Sequence, residues 1–405
     1  MIKYTISVRD LIYFFERRGG LSFSNFAVFK KALSNGIWAH QRLQSQRGPA
    51  YKKEVKVEYK RIKDDLELRV LGRIDGVYDI SGSIIIEEIK STSRKIIDFI
   101  NSEHNLHLGQ AKLYAAIYAK ENSIQKLQTQ LTYYHIKTAE IKTIFNEWSV
   151  IELDEYLNGL VDKYLDWLIS VENHRTKRDL SIKDLEFPYQ THRPGQQELI
   201  NDVSSIIKNK GQFIAQAPTG IGKTIATLFP SIKAISKKKV SRNIYLTSKV
   251  TGQIIAQETI NDLIKNGLKI KSVTISAKER ICLDPNKDCL SGTCIYGKNY
   301  FDNLEKARLE FFRQFLFDQE TLISIAKKHK LCPYYLSFEF ARWADIIICD
   351  FNYLFDPEVS LKSLLIDSLK KDVLLIDEAH NLPERAREMH SAYLSKASFL
   401  GNRNN

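Results

Sequence analysis

The sequence predicts an α/β chain in two parts, the second built on a parallel sheet, and three observations predict it. At 405 residues the chain exceeds what one ordinary core fills, since domains run roughly 100–200 residues. From Phe187 onward short apolar runs alternate with stretches of helical period, the pattern of strands joined by crossover helices. The segment APTGIGKT, residues 217–224, lies between an apolar run and a helical stretch, where a glycine turn would join strand to helix.

The front part, residues 1–175, mixes both patterns. Residues 66–74 and 84–90 read as two strands joined by a turn at 79–83. Residues 105–120 read as a helix. A second helix is expected at about 155–171, where Leu157, Leu160, Val161, Tyr164, Leu165, Leu168 and Ile169 fall at helical spacing. The polar stretch that follows makes 176–186 the expected linker. In the second part, 187–405, strands are expected at 212–217, 243–247, 345–349 and 373–376. Residues 277–337 break the alternation and read as an insertion.

Composition places the chain among globular proteins: 43% hydrophobic, 27% charged, without low-complexity tracts or repeats. No apolar run approaches the ~20 residues that span a bilayer, and MIKYTISVRD lacks the pattern of a signal peptide. A cytoplasmic, reducing location without a membrane partner is expected. The net charge of +12 attracts polyanions in a salt-dependent way, so nucleic acid is an expected partner. A lysine-rich solvated surface gives the same count. Four of the five cysteines fall between Cys282 and Cys332, which in a reducing compartment argues for a metal site over disulfides.

The glycine loop has the make-up of a phosphate cradle. Small residues at Ala217, Gly220 and Gly222 let backbone N–H groups turn towards phosphates, and the following helix adds its N-terminal dipole. Lys223 can pair with the β- and γ-phosphates of ATP, and the Thr224 hydroxyl can bind Mg²⁺. Downstream, LLIDEAH (374–380) ends an apolar run in two carboxylates, at the sheet edge where open α/β folds bind ligands. Asp377 would hold Mg²⁺ and Glu378 would polarise the attacking water. Taken alone, two acids in that place cap a helix equally well.

These two motifs, with FPYQTHRPGQQELI (187–200), resemble superfamily 2 helicases of the XPD/DinG type. The resemblance implies a RecA-like P-loop lobe binding ATP and Mg²⁺, with Gln196 of the RPGQ element contacting adenine. LTSKV (246–250) stands where that family has a DNA-contacting motif, although its wording departs from the usual one. The resemblance also implies a [4Fe–4S] cluster on Cys282, Cys289, Cys294 and Cys332. Zinc accepts the same four thiolates, and spacing alone does not separate the two. Cys349 reads as a buried free thiol.

A second constellation lies in the front part. Alternation along 84–90 puts Ile84, Ile86, Glu88 and Lys90 on one face and Glu87 on the other. Asp75, ending the preceding strand, can approach Glu88. Two carboxylates and a lysine around a divalent cation suit phosphodiester hydrolysis, while charges on an exposed strand are as readily structural. GIWAH (36–40), GRID (72–75), EIK (88–90) and QAKLY (110–114) occur in the order found in RecB-like PD-(D/E)xK nucleases, the CRISPR-associated exonucleases among them. That resemblance implies that His40, Asp75 and Glu88 ligate Mg²⁺ or Mn²⁺ and that Lys90 is catalytic. Gln110 and Tyr114, four apart and so on one helical face, would lie beside the site. No cysteine precedes Cys282, so an iron–sulphur cluster of the kind some members carry is not expected here.

In the helicase family ATP binds between two lobes, and the second brings arginines worth ~10³–10⁵ in rate. No QxxGRxxR-like segment follows the DEAH box. The second lobe is therefore expected to be missing from this chain, through truncation, a frameshift, or a split gene whose other half is a second polypeptide. The expected function is an ATP-dependent DNA helicase with a fused metal-dependent DNA nuclease, acting in repair or processing on single strands or free ends. Alone, this chain is not expected to unwind DNA. The alternative is a non-catalytic DNA- and ATP-binding subunit, and an RNA substrate stays open.

Overall fold

The computed structural model describes residues 1–21, 26–80, 83–218, 220–237, 240–286, 289, 292–356 and 371–391, leaving aside the side chains of 26–35 and 80. The chain divides into two compact units, Met1–Glu172 and Asn173–Asn405. Part of the expected turn at 79–83 and the chain's last residues lie outside the described residues.

The first unit is a six-stranded mixed sheet. Strand β1 (Ile2–Ser7) leads into helix α1 (Val8–Phe15), whose start is capped by the Ser7 hydroxyl accepting the Asp10 N–H. Helix α2 (Phe26–Ser45) precedes β2 (Tyr51–Lys63), β3 (Leu66–Ile80) and β4 (Ser83–Thr92). Helix α3 (Ile96–Asn122), strands β5 (Lys126–His135) and β6 (Ile141–Ser149), and helix α4 (Val150–Lys183) follow. The strand order is β1-β3-β4-β5-β6, with β2 along the other edge of β3. Strand β1 pairs with the first half of β3 as far as Ser7↔Leu71, and β4 pairs with its second half from Gly76↔Glu87. Neither pairing covers residues 72–75. Ala39 and Leu43 of α2 pack on Ile89, while α3 packs on Leu131 and Tyr133 of β5, so the middle of the sheet is covered.

The second unit carries a five-stranded, all-parallel sheet. Its strands are β7 (Asn243–Leu246), β8 (Ser272–Thr274), β9 (Leu316–Phe317), β10 (Ile346–Cys349) and β11 (Val373–Ile376), in the order β11-β7-β10-β8-β9. Strands β7 and β10 are buried at every residue, as parallel strands covered on both faces must be. Helices α5 (Gln196–Asn209), α6 (Lys223–Ser236) and α7 (Val250–Lys265) belong to this unit. Its core joins Leu228 and Ile232 of α6, Ile260 and Leu263 of α7, and Tyr245, Ile346 and Ile348 of the sheet.

Three elements differ from the sequence expectations. The stretch expected as a linker is helical as far as Lys183. Arg178 binds the Asp345 carboxylate, His174 Nε2 lies 3.1 Å from it, and Ile182 and Leu185 are buried in the second core, so this segment is anchored. The run 212–217 is irregular and exposed, with Ile214 94% accessible. A short run becomes a strand only where a neighbour takes its backbone groups, and the order of described strands ends at β11. Within the expected insertion, Phe317 of β9 pairs into the lobe's own sheet and packs on Phe311 and Phe340. Its last part is therefore core and not an appendage.

Candidate active sites

The uncovered interval of β3 holds the first site. Because the β3–β4 ladder stops at Gly76↔Glu87, the Asp75 carboxylate, and not a backbone carbonyl, accepts the Ile89 N–H at 2.7 Å. Its other oxygen lies 3.3 Å from His40 Nδ1 on α2. Gln44, one helical turn further along α2, donates to the Asp75 carbonyl at 2.9 Å, tying that helix to the strand. Glu88 Oε1 accepts from Lys90 Nζ at 2.6 Å, and Lys90 also donates to Gln110 Oε1 at 3.0 Å. Tyr114 stands one turn further along α3, its phenol pushed up by burial and then by the charge of Glu88. The ring of Tyr114 passes over Gly72, where a Cβ would collide with it and approach Val8 to 2.9 Å. The six residues singled out in the sequence thus lie in one neighbourhood, with Glu88, Gln110 and Tyr114 buried and His40, Asp75 and Lys90 half-buried.

Its electrostatics are those of crowded charge. Burial pushes the Glu88 carboxyl up to about 7, Asp75 adds to the rise, and Lys90 and His40 oppose it. Burial alone would discharge Lys90, but the charge and hydrogen bond of Glu88 outweigh it and hold the ammonium above its usual range. Burial is the largest single effect on His40 and lowers it, but the hydrogen bond and charge of Asp75, joined by the charge of Glu88, together keep it above its usual value. The closest approaches are pairwise. Among the described residues no three His, Cys, Asp or Glu side chains gather tightly enough to hold a metal ion.

Sequence reasoning missed Glu87. It is fully buried on the other face of β4, where it binds Arg47 and accepts from Thr132 at 2.6 Å and Gln130 Nε2 at 2.8 Å. The run Glu87-Glu88 was the available signal, because two adjacent acids in an otherwise apolar strand imply partners on both faces.

The second site is the glycine loop. Gly220 and Gly222 take φ +86° and +80°, conformations that L side chains avoid, and Gly222 opens helix α6. Lys223 Nζ folds back to the Ala217 carbonyl at 3.3 Å. Gln196 is buried and braces the loop: its Oε1 accepts the Arg193 N–H at 3.1 Å, and its Nε2 lies 3.4 Å from the Gly222 carbonyl. Across the sheet end, the Asp377 N–H donates to the Leu246 carbonyl at 2.8 Å. Glu378 takes φ +53°, and its carboxylate lies 3.4 Å from His380 Nδ1. Burial, and then the charge of Asp377, holds the phenol of Tyr245 well above its usual range. Tyr245 was not singled out in the sequence, where it reads as one more strand residue.

The cysteines come together in part. Burial pushes the Cys332 thiol up to about 11, with Cys282 and Cys289 adding to the effect, so these three are neighbours. Cys294 is raised by burial and by a hydrogen bond with Asp284. Lys278 is hydrogen-bonded to Cys289. Cys349 is fully buried at the end of β10, remote in character from this polar group.

The mixed α/β architecture fits a PD-(D/E)XK fold in the first unit and an XPD-like helicase lobe in the second. Residues 23–216 match the model of the PD-(D/E)XK nuclease superfamily, and residues 232–399 match the model named DEAD_2. The chain is 26% identical over 263 residues to regulator of telomere elongation helicase 1 of Homo sapiens, an alignment covering 51% of this chain and 21% of the relative. It is 25% identical over 232 residues to the general transcription and DNA repair factor IIH helicase subunit XPD of Dictyostelium discoideum, covering 50% and 30%. A solved chain described as "XPD_Helicase" aligns with TM-score 0.35 and 22% identity over 50% of this chain and 35% of that one. Another, "Truncated XPD", gives TM-score 0.32 and 18% identity over 47% and 54%. The chain thus spans between about a fifth and a third of the curated relatives it matches. No described helix is long and apolar enough to cross a membrane.

Proposed function

We propose that this chain is the nuclease-bearing part of an ATP-dependent DNA helicase that acts in DNA repair or processing. The observation that carries the reading is the connected network of the first unit. His40 meets Asp75, and Lys90 meets both Glu88 and Gln110, around the uncovered interval of one strand. A buried Glu88 whose proton affinity is raised by burial and by the nearby charge of Asp75 suits a divalent cation. Asp75, Glu88 and His40 are the residues that would hold Mg²⁺ or Mn²⁺. Such an ion supplies an activated water and charge neutralisation at a phosphodiester. Lys90, kept cationic by Glu88, orients the nucleophile or meets charge developing on the phosphate. Gln110 fixes the direction of Lys90, and Tyr114 stands one turn beyond Gln110.

In the second unit, Gly220, Gly222 and Lys223 cradle nucleotide phosphates while Thr224 and Asp377 face Mg²⁺. Glu378 is the group to polarise water, and Gln196 sets the loop that meets the base. The cysteine group is read as a [4Fe–4S] site on Cys282, Cys289, Cys294 and Cys332, with zinc as the competing metal. DNA is the proposed polymer, favoured by the net charge of +12.

The test is cleavage of end-labelled single-stranded DNA by the purified chain with Mg²⁺ or Mn²⁺, set beside Asp75→Ala and Glu88→Ala. Metal-dependent cleavage lost in both variants supports the nuclease assignment, and its absence in the unsubstituted chain sinks it. RNA competing as well as DNA would move the substrate assignment. A second reading, a nucleotide-binding module without turnover, is favoured by the exposed run 212–217 ahead of the loop. Binding of ATP without phosphate release would support it.

A further inference from the structure

We propose that Arg73 and Lys56 hold a phosphate of the substrate DNA strand one nucleotide away from the nuclease centre, with Glu54 aiming the Arg73 guanidinium. The inference rests on the nuclease reading above and adds the contact that seats the strand. Strand β2 pairs with β3 at every rung from Tyr51↔Tyr78 to Lys63↔Leu66 except one, the rung of Glu54 and Asp75. There Glu54 takes φ +58°, the left-handed region that a residue with a side chain enters at a cost. The Asp75 carbonyl accepts from side chains, Gln44 at 2.9 Å and the Tyr51 hydroxyl at 3.3 Å. Glycine would take that backbone conformation more cheaply. What glutamate adds is a carboxylate engaged on both oxygens: Oε1 accepts from Gln44 Nε2 at 3.0 Å, and Oε2 lies 2.8 Å from Arg73 Nε.

Arg73 is gripped at Nε while its side chain stays 66% exposed. That leaves the fork of terminal nitrogens towards solvent, the geometry that receives a phosphate in two bonds. In the register of the two strands Lys56 stands directly opposite Arg73. Like charges so placed repel, and an anion between them removes the repulsion. The next such pair carries its own anion: Lys60 stands opposite Arg69, and Glu58 lies 3.3 Å from the first and 2.7 Å from the second. Lys56 is exposed and, among the described residues, has no ion-pair partner. Lys56, Arg73 and Glu54 therefore leave one positive charge uncompensated. Arg73 lies two residues from Asp75, roughly 6.6 Å along a strand, close to the step between successive phosphates of an extended DNA strand. A phosphate in the fork thus sets its neighbour beside the Asp75 carboxylate.

Steady-state cleavage of end-labelled single-stranded DNA by the full chain, with Mn²⁺ over a range of KCl concentrations, tests the contact. Arg73→Ala should raise KM roughly tenfold, the scale of a hydrogen bond to a charged group. It should change kcat far less, because the contact is the same before and during the reaction. The slope of log KM against log salt should shrink by about 0.7 for the lost phosphate contact. Arg73→Lys should recover the slope and only part of the affinity, since it restores charge without the fork. Glu54→Ala removes a negative charge, so charge alone predicts a lower KM, whereas aiming of Arg73 predicts a higher one. Unchanged KM and slope in Arg73→Ala overturn the proposal, and a lower KM in Glu54→Ala overturns the aiming role. If the unsubstituted chain does not cleave, the nuclease reading falls. Fluorescence anisotropy of a labelled oligothymidylate in EDTA then decides the phosphate contact by the same salt slope, and a slope unmoved by Arg73→Ala overturns it.

Discussion

Replacing Glu88 by Gln isolates the most perturbed carboxyl of the first site. Folding moves Glu88 from its usual 4.5 to about 7, and at about 1.4 kcal/mol per pH unit this amounts to about 3 kcal/mol. The shift is upward, so between those two values the folded chain holds one more proton than the unfolded chain. Stability therefore falls as pH rises through the window and levels off above about 7. Gln cannot ionise but still offers an oxygen to Lys90. The stability of Glu88→Gln relative to the native chain should accordingly rise by about 3 kcal/mol between pH 4.5 and pH 8. Urea unfolding followed by the fluorescence of Trp38, Trp148 and Trp167 measures it in the metal-free chain. A difference constant to within about 0.5 kcal/mol across that range would refute the buried-acid account. So would a trend of the opposite sign. Mn²⁺ added at pH 8 should restore part of the loss to the native chain and none to the variant.

Other substitutions separate the remaining parts. Asp75→Asn should lower the pKa of His40, followed by its ring NMR signals, and should cut metal-dependent cleavage by at least about 10²-fold; an unmoved His40 would mean that the Asp75 contact is not formed. Gly72→Ala drives a methyl into the Tyr114 ring and should cost ~1–3 kcal/mol in urea unfolding. Lys223→Ala should weaken nucleotide binding by about tenfold or more, read by calorimetry, since it removes a charge-assisted bond to phosphate. Cys332→Ser should abolish the broad visible absorption of protein reconstituted with iron and sulphide, and a colourless native chain holding stoichiometric zinc would remove the iron–sulphur assignment.

Strands β7 and β10 were legible because parallel strands buried on both faces leave continuous apolar runs, as in IIIC, and β11 leaves a similar run, VLLI, although only Leu375 in it is buried. Strand β2 was not, since YKKEVKVEYKRIK carries its charges along an edge and reads as a solvated segment. Strands β8 and β9, three and two residues long, are too short to leave a period. The expected strand at 66–74 ran on to Ile80, because alternation stays readable only until the glycine at 76. His40, Asp75, Glu88, Lys90, Gln110 and Tyr114 were singled out through their fixed order along the chain, and the structure pairs His40 with Asp75 and Lys90 with Glu88 and Gln110. Glu87 escaped for the opposite reason. Alternation placed it on the other face of β4, but its partners Arg47, Gln130 and Thr132 lie far from it in sequence. Such a role has no local signature.

The uncovered interval of β3 has a consequence for how such a chain could lose activity. There the Asp75 side chain completes the backbone pairing of β4 at Ile89, so one carboxylate serves both as candidate ligand and as a rung of the ladder. A lineage that abandoned cleavage could exchange Lys90 without breaking the backbone pairing of the sheet, once Glu88 had changed with it. It could not exchange Asp75 for an aliphatic residue without orphaning a buried N–H, which costs about 1–3 kcal/mol. In inactive descendants position 75 should therefore keep an acceptor, such as Asn or Ser, long after its neighbours have drifted, and only the neighbours would record whether the chemistry survives.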